Sequence, residues 1–559
     1  MLIFGLTAFL VISLTVLPVI VLLLTAFRPK GSLWLDPTGF SLESIYDLVT
    51  QPGLAQLIYN TTVYVGGTIA LATIFATVWA WITERTDFRY KVTVRVLMLV
   101  TLSLPSLIQG FGWILLLNPS NGYINILLRD WLPFDIVSGP FNIYSLGMMV
   151  TVSSFLLTPT IYVMLSGIIR NMDYKLEFPA SLAGVSTFKI YCRVIGPILL
   201  PGLLSVLIYT IMIMIQVFEI PLSIGLTAGI QVLSTRVYLL STAELGAPNY
   251  NLASAFGVFL VLIALILVLV YQKLTEESER FAVIGGKNFS LMRRALGARR
   301  YLAYGYMVGF FMLAFMPIFI LIWASLLPFY TTPSLAALDN VTFNNYADLF
   351  SSSMFRRSFV NTAIVVLAGA TLTMVISFLT SYVTVRPVYR WARWVDIMTF
   401  LPVAIPNIVM GLAVLLLYVR TPVYGTIGAI LLAQVVVNLV FGTRILSAAM
   451  IQVHPDIERA AVISGVGKQW IMLRVLAPIL RTQIINGWLL VFAHAMRDVG
   501  IPLIFLTSKT VMMSSALWLM WGYPDVPGAA ALSIVLVLIL TVFVTPMQIY
   551  MAKTEERSG

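Results

Sequence analysis

Long apolar runs separated by short polar, mostly basic stretches set the pattern of this chain. Nothing ionises between Glu244 and Lys273, between Arg300 and Asp339, or between Asp525 and Lys553. A spanning helix needs about 20 apolar residues. Only helices and closed barrels satisfy their backbone in lipid, and these runs are continuous rather than alternating, so the pattern predicts helices. Spans are expected at 2–26, 57–83, 93–117, 143–169, 196–226, 252–272, 302–327, 360–385, 394–418, 423–449, 477–506 and 527–551. The first run lacks a basic start and a small-residue cleavage site and is too long for a signal peptide's apolar core, so it reads as the first span.

Composition agrees. Of 559 residues, 60% are hydrophobic and 10% charged, against roughly 25% charged in soluble domains. The mean hydropathy is +0.96. The expected fold class is an all-α polytopic membrane protein of about twelve transmembrane helices. The single Cys192 rules out an intrachain disulfide, and no Cys/His cluster suggests a metal site.

The net charge of +11 is better explained by topology than by nucleic acid. With the N-terminus in the cytoplasm, inner segments hold 25 of 34 basic residues and outer segments 8, with Arg497 left inside a span. That asymmetry follows the positive-inside rule, although Arg28 and Lys30 oppose it. Both termini are then cytoplasmic, in a bacterial inner membrane.

The chain repeats itself. Asn60-Thr61, Pro105 and Gly110 recur 301 residues later as Asn361-Thr362, Pro406 and Gly411. Glu177, Gly184, Arg193, Pro197 and Ile220-Pro221 recur 281 residues later as Glu458, Gly465, Arg474, Pro478 and Ile501-Pro502. The second half has therefore lost about one loop, placed near Arg129–Ser138. The expected organisation is a six-helix half at 1–272, a basic cytoplasmic linker at 273–301 and a second half at 302–559. Both halves run in the same direction, about a pseudo-twofold axis along the membrane normal.

The strongest motif lies between the fourth and fifth helices of each half. Copy one reads Glu177-Phe-Pro-Ala180-Ser-Leu-Ala-Gly184, with Pro197 thirteen residues on; copy two reads Glu458-Arg-Ala460-Ala461-Val-Ile-Ser-Gly465, with Pro478 at the same spacing. Small residues allow a partner protein close approach, and glycine permits a tight turn. The pair resembles the EAA loop of ABC importer permeases. The resemblance departs at the family's glutamate position, which holds Phe178 and Arg459, and at Pro179. It implies type I importer architecture, with this segment as a coupling helix seated on an ATPase subunit. It also implies two such subunits and a soluble periplasmic or lipid-anchored binding protein. Gly465-Val-Gly-Lys468 and Gly285-Gly286-Lys287 both fail the phosphate-loop spacing, so the chain itself is not expected to be an enzyme or to bind a cofactor; ATP belongs to the partner.

Polar residues within spans are candidates for a pathway or gate. Gln216 and Glu219 end the fifth helix; His494, Arg497 and Asp498 occupy the matching region of the eleventh. Charges at membrane depth cost roughly 2.5–3.5 kcal/mol and face a cavity or a partner. The alternative is that Arg497 pairs with Asp498 or Glu219 to lock helices together. Pro105, Pro402 and Pro406 interrupt the third and ninth helices, with Gln109 and Asn407 close by, either lining a cavity or marking packing kinks. Asn60 and Asn361 read as helix caps or interhelical donors. Two fused halves resemble ferric iron permeases, which makes ferric iron the leading expected substrate, and also those for thiamine; polyamine or phosphonate permeases are further alternatives. An ion-gradient-driven secondary transporter is the competing class, but it would have no use for two coupling loops.

Overall fold

The structure is a computed structural model that describes residues 2–131, 139–170, 196–279, 295–387, 391–467, 470–523 and 525–558. Among the described residues every regular element is helical. Eight helices are long and apolar enough to cross a membrane, and up to eleven crossings result if each of three bent pairs is one span. The first half contributes α1 (Phe4–Ala26), α3 (Leu54–Arg85), the bent pair α4 (Lys91–Ser103) and α5 (Ser106–Leu117), α6 (Leu146–Arg170), α7 (Gly196–Gln216) and α9 (Tyr250–Glu279). The second contributes α10 (Arg300–Ser325), α12 (Ser353–Val385), the pair α13 (Ala392–Phe400) and α14 (Asn407–Tyr418), α15 (Ile427–Gln452), α17 (Arg481–Arg497) and α20 (Val526–Ser558). Short helices α2 (Glu43–Thr50), α8 (Leu233–Ser241), α11 (Asn344–Ser351), α16 (Asp456–Ile463), α18 (Gly500–Ile504) and α19 (Met513–Gly522) connect them.

Proline sets the breaks. A proline inside a helix removes one donor and clashes with the preceding turn. At Pro105 the chain turns by 96° between α4 and α5, and at Pro402 and Pro406 it turns by 112° into α14. A third bend, of 76°, follows Pro478 at the start of α17. Where Pro18 interrupts α1 the ladder slips instead into a π turn, Ile12–Val16, and the helix continues.

Several boundaries differ from the sequence pattern. α9 runs on to Glu279 and α10 starts at Arg300, so the expected linker 273–301 is helical at its near end. Apolar periodicity misses this because the last turn of α9 is polar and already outside the apolar run. The expected helices at 196–226 and 477–506 are each broken, at Gln216 and at Arg497. α3 and α12 begin at Leu54 and Ser353, ahead of Asn60 and Asn361. Those asparagines therefore lie inside helices and cap nothing.

Each half lends its first helix to the other. α1 packs on α14 and α12, while α10 packs on α5 and against α3, where Trp79 stacks on Tyr306 at 4.7 Å. The exchange is tied twice by the same kind of bond. Trp34 donates from Nε1 to the Leu416 carbonyl at 3.1 Å, and the Tyr330 hydroxyl donates to the Leu115 carbonyl at 3.2 Å. Leu416 stands 301 residues after Leu115.

Candidate functional site

The second copy of the repeated loop forms α16. Asp456 and Glu458 lie in its first turn, where carboxylates favour the helix dipole. Its end is closed by a Schellman turn. Val466 N–H donates to Ala461 O and Gly465 N–H to Val462 O, with Gly465 at φ +87°. This left-handed position suits glycine because it carries no Cβ. No residue of α16 is buried; Ala460 is exposed, Ala461 half-buried, and Ile463 is 87% exposed.

One side of α16 is tied to the transmembrane helices. Glu458 accepts from Arg386 Nε at 2.8 Å. The same guanidinium donates from Nη2 to the carbonyls of Val453 at 2.6 Å and Met450 at 3.4 Å. Arg386 caps α12, and those carbonyls close α15. One planar side chain thus joins α12, α15 and α16. Arg459 instead turns outward to Asp456 at 2.9 Å. Glu177, Ala180 and Gly184 of the first copy lie outside the described residues.

The intramembrane polar residues divide into two groups. Asp498 breaks the eleventh helix, and its carboxylate is fully engaged. It accepts from Gln434 Nε2 at 2.7 Å, Asn407 Nδ2 at 3.3 Å and the Ile501 amide at 3.2 Å. Gln434 in turn accepts from Asn438 at 3.1 Å, and Asn438 Oδ1 lies 2.9 Å from His494 Nδ1. This network joins α14, α15, α17 and α18. Gln434 and Asn438 were missed in the sequence, although two polar residues four apart in an apolar helix are a visible signal.

Glu219 and Arg497 form the second group. The alternative reading, an ion pair of Arg497 with Asp498 or Glu219, is not formed, since Asp498 is taken up by neutral donors. Glu219 accepts from the Phe218 amide at 3.3 Å, and the Nε of Arg497 is buried without a hydrogen-bond partner. No salt bridge joins the two side chains. Gln216, 281 residues before Arg497, reaches across to the Val403 carbonyl at 2.9 Å, in the broken turn before α14. Gln109 likewise crosses to the Ala314 carbonyl at 3.3 Å.

The repeated Asn-Thr pairs clamp the loops that follow the fifth and eleventh helices. Asn60 donates to Gln231 O at 3.1 Å, and Thr61 accepts from the Leu233 amide at 3.0 Å. Asn361 donates to Val511 O at 2.9 Å, and Thr362 accepts from the Met513 amide at 2.9 Å. The partners are again in register, 280 residues apart.

Broken apolar helices, exchanged first helices and polar side chains crossing from half to half define the class: a polytopic all-helical membrane protein. Residues 69–278 match the family described as the inner membrane component of binding-protein-dependent transport systems. The chain is 22% identical over 512 residues to an Fe(3+)-transport system permease protein of Haemophilus influenzae, covering 90% of this chain and 92% of the relative. It is 22% identical over 487 residues to a ferric transport system permease protein of Actinobacillus pleuropneumoniae, covering 86% and 69%. In these comparisons the chain is similar to multi-pass permease components of binding-protein-dependent transport systems.

Proposed function

We propose that the chain is the permease of an ATP-driven importer for ferric iron. The observation that carries this reading is that relatives named as ferric permeases align with both halves, over 86–90% of the chain. We further propose that 1–272 and 302–559 are two parallel permease halves, that both termini are cytoplasmic, and that one ATPase subunit docks on each half. The exposed apolar side chains Ile457, Val462 and Ile463 on α16 suit such a contact, because an exposed apolar patch on a polar loop marks an interface. Closure of the ATPase pair would draw the two loops together. The Arg386–Glu458 bond would then pass the displacement into α12 and α15. The broken turns at Gln216 and Arg497, next to proline-freed carbonyls, are the places where a pathway between the halves could open.

The test is reconstitution. Mildly solubilised protein should co-purify with an ATPase in twofold excess. Proteoliposomes of that complex should take up ferric iron only with ATP inside and an iron-loaded binding protein outside. Uptake driven by an ion gradient without ATPase would replace this reading with a secondary transporter.

A further inference from the structure

A cavity of about 650 Å³ opens where the start of α10 meets the turn between α3 and α4. It is lined by Asp87, Phe88, Arg89, Arg300, Tyr301 and Tyr304 among others. Its two walls come from distant parts of the chain. They meet where the Leu296 amide donates to Asp87 Oδ1 at 2.9 Å, and where the Tyr304 ring packs on Phe88 at 5.5 Å and on Tyr90 at 5.6 Å. α3 ends at Arg85, which stands 301 residues before Arg386. The cavity therefore lies on the same side of the membrane as α16, at the point where α10 enters its apolar span.

The cavity is richer in positive than in negative charge. Arg89 and Arg300 are both exposed, and neither is in a salt bridge among the described residues. Both guanidinium groups are instead held over tyrosine rings, Arg89 at 5.8 Å from the centre of Tyr90 and Arg300 at 5.0 Å from that of Tyr301. Arg300 also donates from Nη2 to the Tyr301 hydroxyl at 3.2 Å. A guanidinium that lies over a ring keeps its in-plane donors for an acceptor, and that planar fork matches phosphate oxygens. Tyrosines favour the headgroup level of a bilayer.

α10 carries the site onward into the lipid. Tyr301, Gly305, Val308, Gly309 and Met312 share one exposed face at helical spacing. A Cβ placed on Gly305 or Gly309 would meet nothing within 4 Å. This face is a shallow apolar track that begins at the cavity, while Phe310, Phe311 and Ala314 turn to the core.

We propose that the cavity binds the headgroup of an anionic phospholipid, with Arg89 and Arg300 taking its phosphate and an acyl chain lying along Gly305 and Gly309. The continuity of cations with an apolar track favours a lipid over a free phosphate. The bound lipid staples the start of α10 to the α3–α4 turn, and so joins the second half to the first. The same site would serve a gradient-driven transporter, so its test stands apart from the importer reading.

The experiment titrates the delipidated, detergent-purified full chain with phosphatidylglycerol or with phosphatidylcholine of the same acyl chains. The readout is the melting temperature, which rises with a ligand that binds the folded state alone. Phosphatidylglycerol should raise it saturably, and phosphatidylcholine or inorganic phosphate should need far higher concentrations. Arg89→Gln and Arg300→Gln should each weaken phosphatidylglycerol binding roughly tenfold, the size of one charge-assisted contact. The double variant should respond to the two lipids alike. Gly305→Leu fills the track and should weaken binding several-fold with both arginines in place. Unchanged melting temperatures without lipid check the folding of every variant. A double variant that keeps the wild-type preference for phosphatidylglycerol would overturn the site, as would a wild-type chain that responds equally to both lipids. A response to inorganic phosphate as strong as that to phosphatidylglycerol would replace the lipid with a free anion.

Discussion

Glu458 and Arg386 meet at 2.8 Å, with their side chains 13% and 18% exposed, at the junction of α12, α15 and α16. The glutamate that opens the repeated motif is therefore a tether to the chain's own helices. The proposed partner-facing surface is the other side, from Ala460 to Ile463. Removing one member of a largely buried pair leaves the other charge uncompensated. Arg386→Ala should lower thermal stability and reduce ATP-driven uptake more than tenfold, while the complex still hydrolyses ATP. Arg386→Lys, which keeps the charge but not the planar fork, should be intermediate. Uptake and hydrolysis measured on the same proteoliposomes would decide it; a parallel loss of both would mean that the tether serves assembly instead.

Gly465 closes α16 in a left-handed conformation with open space around its Cα. The penalty for a side chain there is conformational, about 1–2 kcal/mol, and not steric. Gly465→Ala should weaken uptake modestly. Gly465→Glu adds a charge beside the docking surface and should abolish ATP-driven uptake while leaving the protein inserted. Normal uptake by the glutamate variant would sink the coupling role.

Asp498 has three donors aimed at it, and Asp498→Ala would strand Gln434, Asn407 and the Ile501 amide. Each neutral donor left unsatisfied by that change costs about 1–3 kcal/mol. The loss should be read as a large fall in melting temperature or in folded yield. Asp498→Asn should be milder, because the amide oxygen still accepts.

Glu219 has no such network. Glu219→Gln should preserve expression and melting temperature and reduce uptake several-fold, measured as initial rate per inserted protein. If stability falls and the rate per folded molecule does not, Glu219 is a packing residue.

Asn60→Ala removes a side-chain bond to one loop carbonyl, and Asn361→Ala removes bonds to two, those of Lys509 and Val511. A loss of about 1 kcal/mol apiece is expected, additive because the two clamps share no partner. A calorimetric comparison of the single and double variants would show it.

Much of the architecture was legible in the chain. The apolar runs, the prolines and the 301- and 281-residue offsets located the helices, two of their breaks and the repeated motif. The Asn-Thr pairs were visible too, but their acceptors were not. Those are backbone carbonyls about 150–170 residues away, and a carbonyl has no sequence signature. The same limit hid the tether, since Arg386 looked like one more inner-face cation. It also hid the fate of Asp498: proximity suggested Arg497 as its partner, but the broken helix turns the neighbours apart and brings Gln434 and Asn407 in.

The crossed first helices carry a consequence for how the molecule is made. Trp34 waits for a carbonyl 382 residues further along, whereas Tyr330 finds its acceptor 215 residues behind it. During synthesis α1 first meets α9 of its own half, and its seat on α14 is completed only once residue 416 has been added. By contrast, α10 emerges onto an α5 that is already built. Carrying both halves on one polypeptide makes the eventual partner of α1 local, where two separate chains would have to find each other by diffusion.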